Sequence, residues 1–435
     1  MDNDLRQLNL EEQTGGKWFP HPPQNPIVGI HFDSRELSPG EMFIAIGDPK
    51  KNSGHKFLAH AQRRGASAAI VMEFHEELTL PQLLVQDSTA AFQSIATAYR
   101  KTLPTEIIAV AGSYGKTTTK DLLTLLLGPR TYKTSENQNS QLGTPLNVLK
   151  ISSKLHLRAV IEVGIEKPGD MQKQTEIVRA KHVIFTGISH KHVEFFSTRE
   201  ELLLEKLHIA KYIAQQRGKF VAEKSLSQHY LLRNLRECII CTEDTIEDFR
   251  FPTPSSGFRK AFSLCHCLCK HLGISHEDMR DRLRNWEASR LREQILMHKT
   301  KEQIFYVDCY NSDIEPLLNS AKTFFNLFHL QKRLFVIGGM SGLGFASKVL
   351  HEKAGKLIPF SANDHFIFVG NETAPMLVAL RGRGLPEGNA QIFPQKTESI
   401  KEIINNFRGA VYLKGSRCYA LETLIDFDNC RPFVY

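Results

Sequence analysis

Apolar residues along this chain gather in short runs, separated by stretches where they recur every three or four positions. The runs are strand-like and the stretches helix-like. Over residues 1–104 the runs "MFIAI" and "AAIVM" flank the helical "HKFLAHAQRRG", and the region closes at the polar, proline-bearing "RKTLPTE". That pattern predicts a small α/β domain. Over 105–298 the alternation is more regular. "EIIAVAG" is followed by the helical "GKTTTKDLLTLLLG", "LRAVIEVG" by "PGDMQKQTEIVRA", and "HVIFTGI" by "TREELLLEKLHIAKYIAQQRG", read as one long amphipathic helix. Repeated strand–helix alternation predicts a parallel sheet with helices on both faces. Over 299–435 the strands "QIFYVDCY", "RLFVIGG", "HFIFVG" and "AVYLKGS" alternate with helices, predicting an open, Rossmann-like α/β domain. No G-x-G-x-x-G follows its first strand, so neither nicotinamide nor flavin is indicated.

Composition changes this picture little. A chain of 435 residues suits two or three domains. The net charge of +8 is scattered, with no block of like charges, which argues against nucleic acid and leaves anionic small substrates open. The start, "MDNDLRQLNLEEQ", has no basic or apolar leader features, and no apolar run is long enough to span a bilayer. The eight irregularly spaced cysteines read as reduced thiols of a cytoplasmic protein. "CIIC" (Cys238, Cys241) and "CHCLC" (Cys265, Cys267, Cys269) are metal-ligand candidates. The second lies in a stretch that reads as a helix ending at Gly273, which favours packed thiols. No region demands a partner, so a monomer is expected.

Candidate chemistry sits at strand ends. In "AVAGSYGKTTTK" a strand leads into a loop and the loop into a helix, whose free N–H groups and dipole favour an anion. Gly112 and Gly115 allow close approach of backbone to phosphate. Lys116 can neutralise β- and γ-phosphates, and the Thr117 hydroxyl can ligate magnesium. Val110 stands where the usual phosphate-loop pattern has its first glycine. Glu162 ends an apolar run, where a carboxylate can hold magnesium. His190 and His192 follow another run and can bind metal or orient phosphate. Lys206 lies mid-helix beside an apolar stripe of leucines. Asp308, Tyr310 and Asn311 end one strand of the third region; Lys414, Ser416 and Arg417 end another.

In this order these pieces resemble the Mur ligase family of peptidoglycan synthesis, over nearly the whole chain. "DSRELSPGEMFIAIG…SGHKFL" is similar to its uridine-nucleotide domain, "GSYGKTTTK" to its ATP loop, and "SENQNSQLGTPLNVL" to its asparagine-rich segment. "VIEVG", "HKHVEFF", "ASRLRE", "DCYNSDIEP", "GGMSGLG" and "YLKGSR" resemble its later motifs. The resemblance implies an ATP- and magnesium-dependent ligase that joins D-alanyl-D-alanine to UDP-N-acetylmuramoyl-tripeptide through an acyl phosphate. It assigns Gly112, Ser113, Tyr114, Gly115, Lys116, Thr117 and Thr118 to ATP, with Arg290, Asp308 and Asn311. It assigns magnesium to Thr117, Glu162 and His192, and catalysis to Lys116, Glu162, His192 and a carbamylated Lys206. Ser34, Arg35, Asn137, Lys414 and Arg417 are implied substrate contacts. The chain departs from the family pattern at Tyr114, Gly187, Phe258, Ser289 and Gly339. Two other readings stay open: a relative acting on another acid–amine pair, and a nucleotide-binding scaffold without activity. The D-S-R segment argues against folate-type substrates, and the retained phosphate and metal groups against a scaffold.

Overall fold

The computed structural model describes residues 5, 8–51, 53–189, 195–226, 235, 238–241, 246 and 248–433. Three sheets follow one another along the chain. The first has five strands in the spatial order Lys17–Phe19, Gln82–Leu84, Ala68–Val71, Met42–Ile44, Ile30–His31. Only the Lys17–Phe19 edge is antiparallel. The Ser88–Thr102 helix leads out of it, capped by Asp87, whose side chain accepts from Thr89 N and Ala90 N.

The second sheet has six strands, every pair parallel: Cys238–Cys241, Phe220–Glu223, His182–Phe185, Glu106–Ala111, Arg158–Glu162, Thr131–Lys133. Its strands are apolar on both faces because both faces are covered. Ile107, Ala109 and Ala111 join one core cluster, while Ile108 and Val110 join the other. That alternation is the two-residue period of an extended chain. The first of these clusters runs without a break into the five-stranded sheet, from Leu5 to Leu226.

The third sheet has seven strands and begins at Gln294–His298. The sequence boundary at 299 therefore falls too late. Residues 299–302 form the turn of an antiparallel pair between Gln294–His298 and Gln303–Asp308. One long helix was also expected from Thr198 onward. The α-helix stops at Leu207, and a 3₁₀ turn at His208–Ala210 carries the chain on, with Ile209, Tyr212 and Ile213 buried. The cysteine-rich stretch is helical over Ser256–His271, with Cys265 and Cys269 buried and Cys267 less so. "CIIC" is an edge strand.

Candidate functional site at the seam of two domains

The Glu106–Ala111 strand delivers the loop 112–115 to the carboxyl edge of the central sheet, and the Lys116–Leu127 helix leaves from it. Gly112 has φ +141°, and a Cβ there would lie 2.2 Å from Thr186 Oγ1. No other residue fits that close approach. Ser113 N donates to Gly187 O (2.9 Å), and Thr186 Oγ1 donates to Tyr114 O (2.5 Å), so the next strand's end holds the loop. Lys116 Nζ and Lys206 Nζ both donate to Gly112 O at 3.2 Å. Burial holds the Lys116 ammonium below its ordinary pKa, while the charge of Glu162 acts the other way.

Glu162 ends its strand almost fully buried. Its Oε1 accepts from Asn139 Nδ2 (2.6 Å), and its Oε2 has no partner. An unpaired buried carboxylate oxygen is costly. A hard divalent cation would satisfy it, and the nearby Thr117 hydroxyl is a second oxygen donor. Among the described residues no group of three His, Cys, Asp or Glu gathers around a metal position. The donors present therefore suit a cation that completes its shell with phosphate oxygens or water. His190 and His192 lie outside the described residues.

A cavity of about 940 Å³ opens over this edge. From the central domain it is lined by Gly112 through Thr119, Asn137, Asn139, Glu162 and Lys206. From the third domain and the linker come Arg292, Glu293, Asp308, Tyr310, Asn311, Asp313 and Lys414. Lys414 Nζ donates to Asp308 Oδ2 at 2.6 Å, both groups buried. Glu293 lies beside them. Burial and the neighbouring Asp308 push its carboxyl up to about 7, against hydrogen bonds from Ser255 and Tyr306 and the charge of Lys414. Phe258 and Trp286 form an aromatic wall, rings edge to face at 5.1 Å.

The sequence assignment of Arg290 is not the one this geometry supports. Arg290 is exposed, its guanidinium 5.5 Å from the Phe427 ring, and it does not line the cavity. Arg292 does: its Nη2 donates to Thr117 Oγ1 (3.3 Å), and its guanidinium lies 4.3 Å over the Tyr310 ring. Leu291 (φ +63°) and Glu293 (φ +47°) both adopt the left-handed region, so the backbone turns sharply on either side of Arg292. Buried Leu291 and bonded Glu293 anchor that turn, and neither φ value is legible in the sequence. Arg417 also stays outside the cavity, paired with Glu422. Ser34 and Arg35 lie in the first domain, away from this cavity. Ser34 Oγ meets His60 Nδ1 at 2.9 Å, and Arg35 pairs with Asp33, whose carboxyl it holds down near 2. Asn139, Arg292 and Glu293 are site residues that motif reading overlooked. Asn139 stood in a quoted motif, two positions from the assigned Asn137.

Residues 110–237 match the Mur ligase middle domain. The chain is 25% identical to the UDP-N-acetylmuramoyl-tripeptide–D-alanyl-D-alanine ligase of Bacillus subtilis, covering 96% of each protein. Its fold is similar to a MurF crystal structure from Acinetobacter baumannii, with a TM-score of 0.82 at 22% identity over 95% of this chain and 96% of that one. It is also similar to MurF of Thermotoga maritima in complex with ADP, with a TM-score of 0.73 at 20% identity over 91% and 96%. The middle-domain match thus lies on the phosphate side of the cavity, and the whole chain is similar in sequence to a D-alanyl-D-alanine-adding Mur ligase and in fold to MurF structures.

Proposed function

We propose that this protein is an ATP-dependent ligase that joins D-alanyl-D-alanine to the free carboxylate of UDP-N-acetylmuramoyl-tripeptide. The observation that carries the reading is the cavity itself. A phosphate loop, an unpartnered buried carboxylate oxygen and the cations Lys116 and Arg292 face one space at the seam of two domains. ATP lies with its phosphates on the loop and its base toward the Phe258–Trp286 wall. Lys116 and Arg292 offset charge on the γ-phosphoryl group as it passes to the tripeptide carboxylate. Magnesium, held by Glu162 and Thr117, supplies further charge neutralisation at the phosphates when bound. A carbamylated Lys206 adds a carboxylate-like ligand on the same side. Asp308, Asn311 and Lys414 meet the nucleotide from the third domain, whose cover over the loop keeps water from the acyl phosphate. Ser34 and Arg35 hold the uridine nucleotide in the first domain, and Asn137 contacts the peptide end.

A phosphate-release assay with single omissions tests this. Release from ATP and magnesium is expected only when the UDP-tripeptide and D-alanyl-D-alanine are both present, with the joined product seen by mass. Release that requires the tripeptide but a different amine would move the reading to another acid–amine pair.

A further inference from the structure

Arg292 and Glu293 leave the linker toward different neighbours. Arg292 reaches the phosphate loop at Thr117. Glu293, in a backbone of φ +47°, turns into the joint between the central and third domains. Its Oε1 lies 3.6 Å from the place a Cβ at Gly257 would take, so the carboxyl meets the first turn of the Ser256–His271 helix. There it is bonded by Ser255, the buried cap of that helix, whose Oγ also accepts from Phe258 N (3.1 Å). From the third domain it is bonded by Tyr306 and faces Asp308 and Lys414. Those two end neighbouring strands in register and pair at 2.6 Å. The Tyr412 phenol, bonded to Ser320, faces both Glu293 and Asp308.

Charge at this joint does not balance. Two carboxylates, Glu293 and Asp308, face one ammonium, Lys414. Lys414 offsets one of them, and burial with the Asp308 charge favours the neutral acid at the other.

We propose that Glu293 is a positioning residue, whose carboxyl clasps the third domain to the central helix and so holds Arg292 over the phosphate loop. The clasp is tight while the Glu293–Asp308 pair carries one proton, and it slackens when both carboxylates are ionised. The inference rests on the ligase reading above for its effect on turnover. The sign follows from linkage. Released from the joint, Glu293 titrates at its ordinary 4.5; in the joint it titrates at about 7. Closing therefore takes up a proton between these values, and its advantage is full below 4.5 and lost as pH rises through about 7. Between about pH 6 and about pH 8 that loss is about 10-fold in the closing equilibrium.

The test measures kcat for amine-dependent phosphate release against pH in wild type, Glu293→Gln and Glu293→Ala. Glutamine keeps the shape and neutrality of the protonated acid. Ionisation of the substrates is common to all three proteins and cancels in their ratios. The ratio of Glu293→Gln to wild type is expected to rise about 10-fold between about pH 6 and about pH 8. Glu293→Ala is expected to lose about 10-fold in kcat at the lower pH, and glutamine to recover most of that loss. A glutamine-to-wild-type ratio that stays level across the range overturns the clasp, as does an alanine variant with wild-type kcat. X-ray scattering of the same proteins with a non-hydrolysable ATP analogue reads closure without turnover. Wild type is expected to expand as pH rises across that range and Glu293→Gln to stay compact. Equal behaviour of the two overturns the clasp, whereas wild-type phosphate release that needs no amine defeats the ligase reading instead.

Discussion

Gly187 and Tyr114 share one volume. The phenol fills the place a side chain at 187 would take, because a Cβ there would be 2.8 Å from Tyr114 Cζ. Taken one at a time against the family pattern, both positions are departures. In space they are a single exchange, as close packing requires. Gly339 repeats it in the third domain: a Cβ there would lie 2.4 Å from Glu372 Oε1, so the Glu372 carboxylate occupies the space a side chain at 339 would take. Ser289, another departure, donates to Asp121 in the helix that follows the phosphate loop. Such exchanges are invisible along the sequence because the partners lie far apart in it. In the structure the arginine that lines the cavity is Arg292, two positions beyond the assigned Arg290. Replacing Arg292 by alanine is expected to lower kcat about 100-fold, the usual cost of one lost charge-stabilising donor. Replacing Arg290 is expected to leave turnover within about 2-fold, since it reaches neither the loop nor the cavity. Steady-state kinetics of the two variants decide between them, and a larger loss at Arg290 would restore the sequence assignment.

At the scale of elements, the strand ends are legible in the sequence. A parallel sheet puts the end of each strand on one edge, so an apolar run that stops at Glu162 or Asp308 already marks the site. Helix length was less legible, since the apolar stripe after Leu207 persists while the backbone tightens. The Ser256–His271 helix illustrates what packing adds. It supplies Phe258 to the cavity and, two turns on, buries His266, whose Nε2 meets His276 Nε2 at 3.0 Å. Burial, then the charges of His276 and Lys270, bring the His266 pKa from 6.5 down to about 4. The unfolded chain therefore takes up this proton first, and stability is lost as pH falls from about 6.5 toward about 4. Melting temperatures across that window should decline in the wild type and decline less steeply in His266→Gln. An identical slope in both would assign the acid sensitivity elsewhere.

For the whole molecule, the first two sheets share a continuous core while the third stands on its own two clusters. The division suits a ligase: one unbroken body holds the first domain and the phosphate loop, and a separately packed third domain meets that loop across the cavity. The linker between them carries Arg292, so the position of the third domain and the charge at the phosphate loop are set together. The central claim is that ATP activates the tripeptide carboxylate in this cavity before the amine attacks. It is tested most directly with tripeptide substrate labelled with ¹⁸O in that carboxylate, followed by mass analysis of the phosphate released. Transfer of one labelled oxygen into phosphate for each amide formed is the predicted result, because the carboxylate oxygen leaves with the phosphoryl group. Phosphate free of label, formed alongside the amide, would contradict it.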